Sequence, residues 1–152
     1  MDPELTTMCY IEKDGKYLML HRNKKKNDPN HDLWLGIGGH LECGEAPGEC
    51  IKREAKEETG LILKAPELRG IITFSDGDWH EIMFLYKACD FEGELAECSE
   101  GELTWVDKDK VRNELPIWEG DRIFLDLLEK SVPFFSLKLE YSHRKLISWK
   151  LE

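Results

Sequence analysis

The sequence has no closely spaced cysteine pair, no HxxxH histidine pair and no long apolar run. Its five cysteines (Cys9, Cys43, Cys50, Cys89, Cys98) are an odd number without a CxxC. That pattern excludes a disulfide framework and a zinc knuckle, and fits a reducing compartment. The histidines at 21, 31, 40, 80 and 143 lack the spacing of a helical zinc site. No stretch approaches the roughly 18 apolar residues of a membrane span, and "MDPELTTMCYIEKDGK" carries no apolar signal core. The expected location is cytoplasmic, with no membrane partner. Basic residues are also in the minority, 21 against 31 acidic, for a formal charge of −10. A nucleic-acid duplex is therefore disfavoured as a partner, because it demands a basic face. A small anionic ligand stays compatible, since a bound divalent cation reverses the local field. "GIGGHL" lacks the last glycine of a dinucleotide fingerprint.

What is present suits one globular domain over residues 1–152, with 41% hydrophobic and 34% charged residues. No repeat, linker or low-complexity tract interrupts it. "TTMCYIE" and "YLMLHR" around "DGK" read as a hairpin, and "NKKKNDPNHD" as a polar loop. "LWLGIGGHLE" reads as a strand whose glycines mark a turn or a close approach. "LILKAPELRGIITFS" and "HEIMFLYKACDF" are expected to be two strands separated by "DGDW", and "ELTWVD" a further short one. "KDKVRNE" suggests one or two helical turns, "GDRIFLDLLEKS" an amphipathic helix, and the tail a C-terminal hairpin. The order β-β-β-α-β-β-β-α-β-β predicts an α/β class, with helices packed on a mixed sheet.

The helix with the clearest boundaries is expected over 47–59, with Pro47 in its first turn and Gly60 as its stop. It contains "REAKEET". At about 100° per residue, Glu54, Glu57 and Glu58 fall within an arc of about 100°. Arg53 stands four residues before Glu57 and can pair with it. Ile51 and Ala55 form the stripe that docks on the sheet, so the carboxylates edge a buried face. Clustered hard oxygens suit Mg²⁺ or Mn²⁺, which bind through a few carboxylates and substrate phosphates. A solvated charged face is the other reading of the helix alone.

The surrounding residues favour the metal. From Gly39 the sequence runs Gly-x5-Glu45-x7-Arg53-Glu54-Ala55-x-Glu57-Glu58-x-Gly60-Leu61, residues 39–61. This pattern resembles the signature of the Nudix hydrolases, with only Ala55 smaller than the usual aliphatic. The resemblance implies the Nudix fold, an α/β/α sandwich with a mixed β-sheet and a loop-helix-loop signature. It also implies Mg²⁺-dependent cleavage of a nucleoside diphosphate linked to another group, with Mn²⁺ as a substitute. By position, Glu54, Glu57 and Glu58 would hold metal together with the Gly39 carbonyl. Arg53 would complete the catalytic set by fixing, with Glu45, the loop and the helix. In "ECSEGELTW", Glu100 aligns with a further metal-binding glutamate; an acidic turn is its alternative.

Beyond the signature, "LWLGIGGHLECGE", "RGIITF", "ELTWVDKDKV" and "LPIWEGDRIF" look like the MutT-type oxidised-purine nucleoside triphosphatases. These release a monophosphate and pyrophosphate, and the expected substrate is an oxidised purine such as 8-oxo-dGTP. Trp118 and Asp121 stand where that group recognises the base; a core anchor and a helix N-cap are the other readings. Phe74 aligns with a pocket aromatic or belongs to the core. Leu35 replaces a base-contacting asparagine, and a pair of aspartates is reduced to Gly120-Asp121, which points to altered base selectivity. Arg22, with Lys24-Lys25-Lys26, could meet the terminal phosphates or form a solvated loop. The markers of ADP-ribose and dinucleoside polyphosphate hydrolases are missing from "DGDW". A pyrimidine triphosphate, a nucleotide sugar and a non-catalytic nucleotide-sensing module are the alternatives.

Overall fold

The computed structural model describes residues 2–152. In it β1 (Glu4–Lys13) and β2 (Lys16–His21) form the expected hairpin, turning at Asp14 and Gly15, both at positive φ. They are followed by β3 (Trp34–Leu35), β4 (Ile37–His40), α1 (Pro47–Thr59), β5 (Ile62–Lys64), β6 (Glu67–Asp76), β7 (Trp79–Ala88) and β8 (Asp90–Glu92). The chain ends with β9 (Glu102–Asp107), α2 (Lys108–Asn113), α3 (Glu119–Glu129), β10 (Phe135–Ser142) and β11 (Lys145–Leu151).

The main sheet runs β11-β10-β6-β7-β1-β2-β3, with β4 added on β1 and β9 on β2. It is mixed: β1/β7 and β6/β10 are parallel, and the remaining pairs antiparallel. Its central strands are apolar on both sides. Tyr10, Tyr17, Met19, Met83 and Leu85 pack under α2 and α3, whereas Cys9, Ile11, Leu18, Leu20 and Tyr86 pack against α1 residues Ile51 and Ala55. Burial on both faces explains why "YLML" reads as a continuous apolar run with no alternation. The architecture is the α/β/α sandwich with a mixed sheet that the resemblance implies.

Three expected single strands are each two. "LWLGIGGH" breaks at Gly36, because β3 pairs with β2 and β4 with β1. "LILKAPELRGIITFS" breaks at Ala65, which has φ 47°, and Pro66. "HEIMFLYKACDF" breaks at Cys89, and the outer pieces β5 and β8 form a separate two-stranded sheet. Among the described residues no helix is long and apolar enough to cross a membrane.

Candidate functional site

Local chemistry sets α1. Pro47 opens it, the Glu49 carboxylate accepts the Ala46 amide at 2.9 Å, and Gly60 closes it at φ 81°. A left-handed residue at this position favours glycine. The loop before the helix is organised by Arg53. Its guanidinium donates to both oxygens of Glu45, at 2.7 and 3.0 Å, and to the His40 carbonyl at 3.1 Å. Glu45 also accepts the Glu42 amide at 3.0 Å. Arg53 and that amide together hold the Glu45 carboxyl down to about 2. Arg53 Nη1 is shared between Glu54 at 2.8 Å and Glu57 at 3.1 Å.

Glu54 lies against the backbone of Gly39, where a β-carbon would come within 2.5 Å of its carboxylate carbon. Glu57 points outward beside Arg53, with 60% of its side chain exposed. Glu58 is different, because its Oε2 is buried without a hydrogen-bond partner among the described residues. Burial above all, then the charges of Glu54 and Glu100, pushes its carboxyl up to about 9, while the Gly38 amide and Arg22 pull the other way.

Arg22 meets Glu100 at 3.5 Å and Asp28 at 2.7 Å, and Lys25 meets Glu100 at 3.8 Å. Lys24 donates to the Cys98 carbonyl at 2.7 Å. Part of the basic run thus borders the acidic cluster, and Arg22 belongs to that border. Among the described residues no three His, Cys, Asp or Glu side chains form a ready-made ion cage. An unpartnered buried oxygen on Glu58, a glycine that leaves room for Glu54 and an all-oxygen donor set nevertheless fit Mg²⁺. That ion completes its octahedron with water and phosphate oxygens.

A separate cavity of about 330 Å³ opens on the other face of the sheet. Leu35, Phe74, Trp118 and Asp121 line it together, joined by Met8, Asn30, Glu81, Met83, Tyr141 and Arg144. Trp118 occupies the N-cap of α3, stands edge-on to Tyr141 with ring centroids 5.7 Å apart, and donates its indole N–H to Asn30 at 2.7 Å. Asp121 is not the N-cap; it sits inside the first turn of α3 and is 4% exposed. Burial first, then the charge of Glu81, lifts its carboxyl to about 8, with Arg122 opposing. Glu81 is itself raised, chiefly by burial, while accepting the Thr6 hydroxyl at 2.6 Å.

Gly120 explains the missing second aspartate. A β-carbon there would come within 2.5 Å of Leu139 Cδ1 and 2.6 Å of the Tyr141 hydroxyl, which accepts the Gly120 amide at 2.8 Å. The neighbouring carboxyl comes instead from Glu81 on β7. Sequence reading missed Glu81, although its signal is visible: Glu81 shares a strand face with Met83 and Leu85, both buried in the core. Asn30, Tyr141 and Arg144 were missed too, and only Tyr141 carries a local cue, as the last of the buried alternating set Phe135, Leu137, Leu139 and Tyr141.

Strand β1 forms a wall of both regions. Thr6 turns to Glu81, whereas the Thr7 hydroxyl lies 3.3 Å from both the Gly39 carbonyl and the Cys50 thiol.

Comparison with known proteins agrees with this arrangement. The family model described as NUDIX domain matches residues 3–128. The chain is 32% identical to an uncharacterized Nudix hydrolase, YvcI, of Bacillus subtilis, covering 96% of this chain and 92% of that protein. It is 27% identical to the oxidized purine nucleoside triphosphate hydrolase of Danio rerio, over 98% and 94% of the two chains. The crystal structure of a MutT protein from Bacillus halodurans superposes with a TM-score of 0.87 at 31% identity, covering 98% of this chain and 97% of that one. A signature helix with its glycine and carboxylates in place, on this fold and with these relatives, makes the chain a member of the Nudix hydrolase family.

Proposed function

We propose that the protein is a Mg²⁺-dependent pyrophosphohydrolase of nucleoside triphosphates, acting on an oxidised purine such as 8-oxo-dGTP and releasing the monophosphate and pyrophosphate. Its role would be sanitising the nucleotide pool, a cytoplasmic task. The observation that carries this reading is the aromatic cavity of Phe74, Trp118 and Tyr141 with two carboxyls at its wall, Asp121 buried and Glu81 half-buried.

A purine ring offers a flat face to the aromatic wall of Phe74, Trp118 and Tyr141, and an edge of mixed donors and acceptors to the carboxyls. With its carboxyl raised to about 8, Asp121 holds a proton at neutral pH and donates a hydrogen bond. Glu81, oriented by Thr6, stands beside it to accept from ring N–H or amino groups. Arg22 and Lys25 border the acidic cluster through Glu100 and would meet phosphate oxygens there. Glu54, Glu57, Glu58 and Glu100, with the Gly39 carbonyl, would hold Mg²⁺ or Mn²⁺, which neutralises polyphosphate charge and lowers the pKa of water. Arg53 orients Glu54 and Glu57 through one shared nitrogen, and one of the glutamates takes the proton of the attacking water.

The relative named as an oxidized purine nucleoside triphosphate hydrolase supports the substrate class. Leu35 at the cavity wall, where an asparagine would read the base, favours a second reading with another nucleoside triphosphate or a nucleotide sugar. A non-catalytic sensing module has no need of the complete glutamate set. One experiment separates the three: kinetics over a nucleotide panel in Mg²⁺, with pyrophosphate and orthophosphate measured separately. The proposal expects pyrophosphate and a higher kcat/KM for 8-oxo-dGTP than for dGTP. Equal values remove the sanitising role, and binding without turnover removes the enzyme.

A further inference from the structure

The turn of the C-terminal hairpin, His143-Arg144, has φ 49° and 69°, so two non-glycine residues sit in the left-handed region. Left-handed φ at both central residues is the geometry of a two-residue hairpin turn, and it is unfavourable for side chains of this size. Asp76, at the end of β6, holds the turn in place. Its Oδ1 accepts the His143 amide at 3.1 Å and its Oδ2 the Arg144 amide at 2.9 Å. From there the Arg144 side chain reaches across the cavity mouth. Its guanidinium carbon lies 4.7 Å from the centroid of the Trp118 ring, and Nη2 donates to the Pro29 carbonyl at 2.6 Å. Pro29 belongs to the 22–33 loop, which Asp28 organises by accepting Arg22 Nε at 2.7 Å and the Asn30 amide at 2.9 Å. Neither Arg144 nor Asp76 belongs to the signature.

We propose that Arg144 is an affinity- and specificity-determining residue of the cavity, a cationic strap at its mouth that donates to the edge of the nucleobase bound there, and that Asp76 is the positioning residue that keeps it in place. The inference rests on the nucleotide reading above. A guanidinium carries five N–H donors and stacks on aromatic faces. Among the described residues only one of these donors is committed to a hydrogen bond, to Pro29. The strap therefore supplies donors to the cavity that the carboxyls Glu81 and Asp121 also line. A base that carries both N–H and oxo groups meets the carboxyls with the first and the guanidinium with the second.

The test is steady-state kinetics of the full chain in Mg²⁺ with the best nucleoside triphosphate of the panel, using Arg144→Ala, Arg144→Lys and Asp76→Asn. Thermal unfolding of each variant checks that the fold survives. Arg144→Ala is expected to raise KM about tenfold with kcat changed less than twofold, as the loss of the donor set offered to the base and of the contact that steadies Trp118 implies. Arg144→Lys should recover part of that loss, because it keeps the cation and loses the fork. Asp76→Asn should raise KM in the same direction. An unchanged KM in Arg144→Ala overturns the strap and leaves the hydrolase reading standing. A parallel fall of kcat with no recovery in Arg144→Lys also overturns it, by assigning Arg144 to the fold. An effect in Arg144→Ala but none in Asp76→Asn removes the role of Asp76. A wild-type protein that turns over no nucleoside triphosphate removes the hydrolase reading and the strap with it.

Discussion

Gly39 and Glu54 compete for one volume: a β-carbon on the first would fall 2.5 Å from the carboxylate carbon of the second. The glycine is required by a neighbour, since its own φ is not in the left-handed region. Gly39→Ala should displace the Glu54 carboxylate, which is a movable end group, at a stability cost of about 1 kcal/mol. Activity should fall far more, about 100-fold, as expected when a functional group is misplaced by about an ångström. Denaturant unfolding and kcat/KM, measured side by side, check this. A large stability loss with normal activity would show that the fold, and not Glu54, depends on the glycine.

Glu58 carries the unpartnered buried oxygen of the acidic cluster. If that oxygen is a metal ligand, Glu58→Gln should lower kcat by a factor on the order of a thousand while the fold survives. Mg²⁺ should raise the Tm of the wild-type protein by binding the folded state, and should do so much less in the variant. Calorimetry with and without Mg²⁺ reads both. An equal Mg²⁺ shift in the two proteins would exclude Glu58 as a ligand.

Asp121 gives a pH dependence with a defined sign. Its carboxyl is raised to about 8, by burial first and then by Glu81, with Arg122 opposing; in the unfolded chain it returns to about 3.9. The folded state therefore binds the proton more tightly. The associated stability is fully present below about pH 4 and is lost as pH rises through about 8. Asp121→Asn cannot ionise, so its unfolding free energy should decline less across that window. Urea titrations at pH 5, 7 and 9 should show the gap between variant and wild type changing in favour of the variant. A pH-independent gap would mean that Asp121 stays ionised in the fold.

Gly120→Ala should be costly in a different way from Gly39→Ala. Its β-carbon meets Leu139 Cδ1 and the Tyr141 hydroxyl, both on buried side chains, so the packing of α3 on β10 must shift to admit it. Overpacking of this kind costs about 1–3 kcal/mol. Because the same shift tilts the start of α3, KM for the nucleotide should rise as well. An unchanged Tm would show that α3 can slide on β10.

Parts of this arrangement were legible in the sequence because the signals are local. Pro47 and Gly60 bracket α1, and the helical period of "REAKEET" places its carboxylates. The strand breaks at Gly36, Ala65 and Cys89 were not legible, since each follows from a change of pairing partner elsewhere in the chain. The same holds for the cavity. Phe74, Trp118, Asp121 and Leu35 were reached through the family resemblance. Glu81 needed the inward face of β7 to be known, and Asn30 and Arg144 needed the positions of a loop and a turn that no periodicity reports.

Thr6 and Thr7 are successive residues of one pleated strand, yet one holds the acid of the cavity and the other lies against the carbonyl of the acidic cluster. The partition between the cavity and the acidic cluster is thus a single peptide unit thick at this point. A slip of β1 by one residue would invert both threonines at once. The two halves of the site cannot be loosened separately at β1, so local melting of this strand should abolish nucleotide affinity and the Mg²⁺ response in one step.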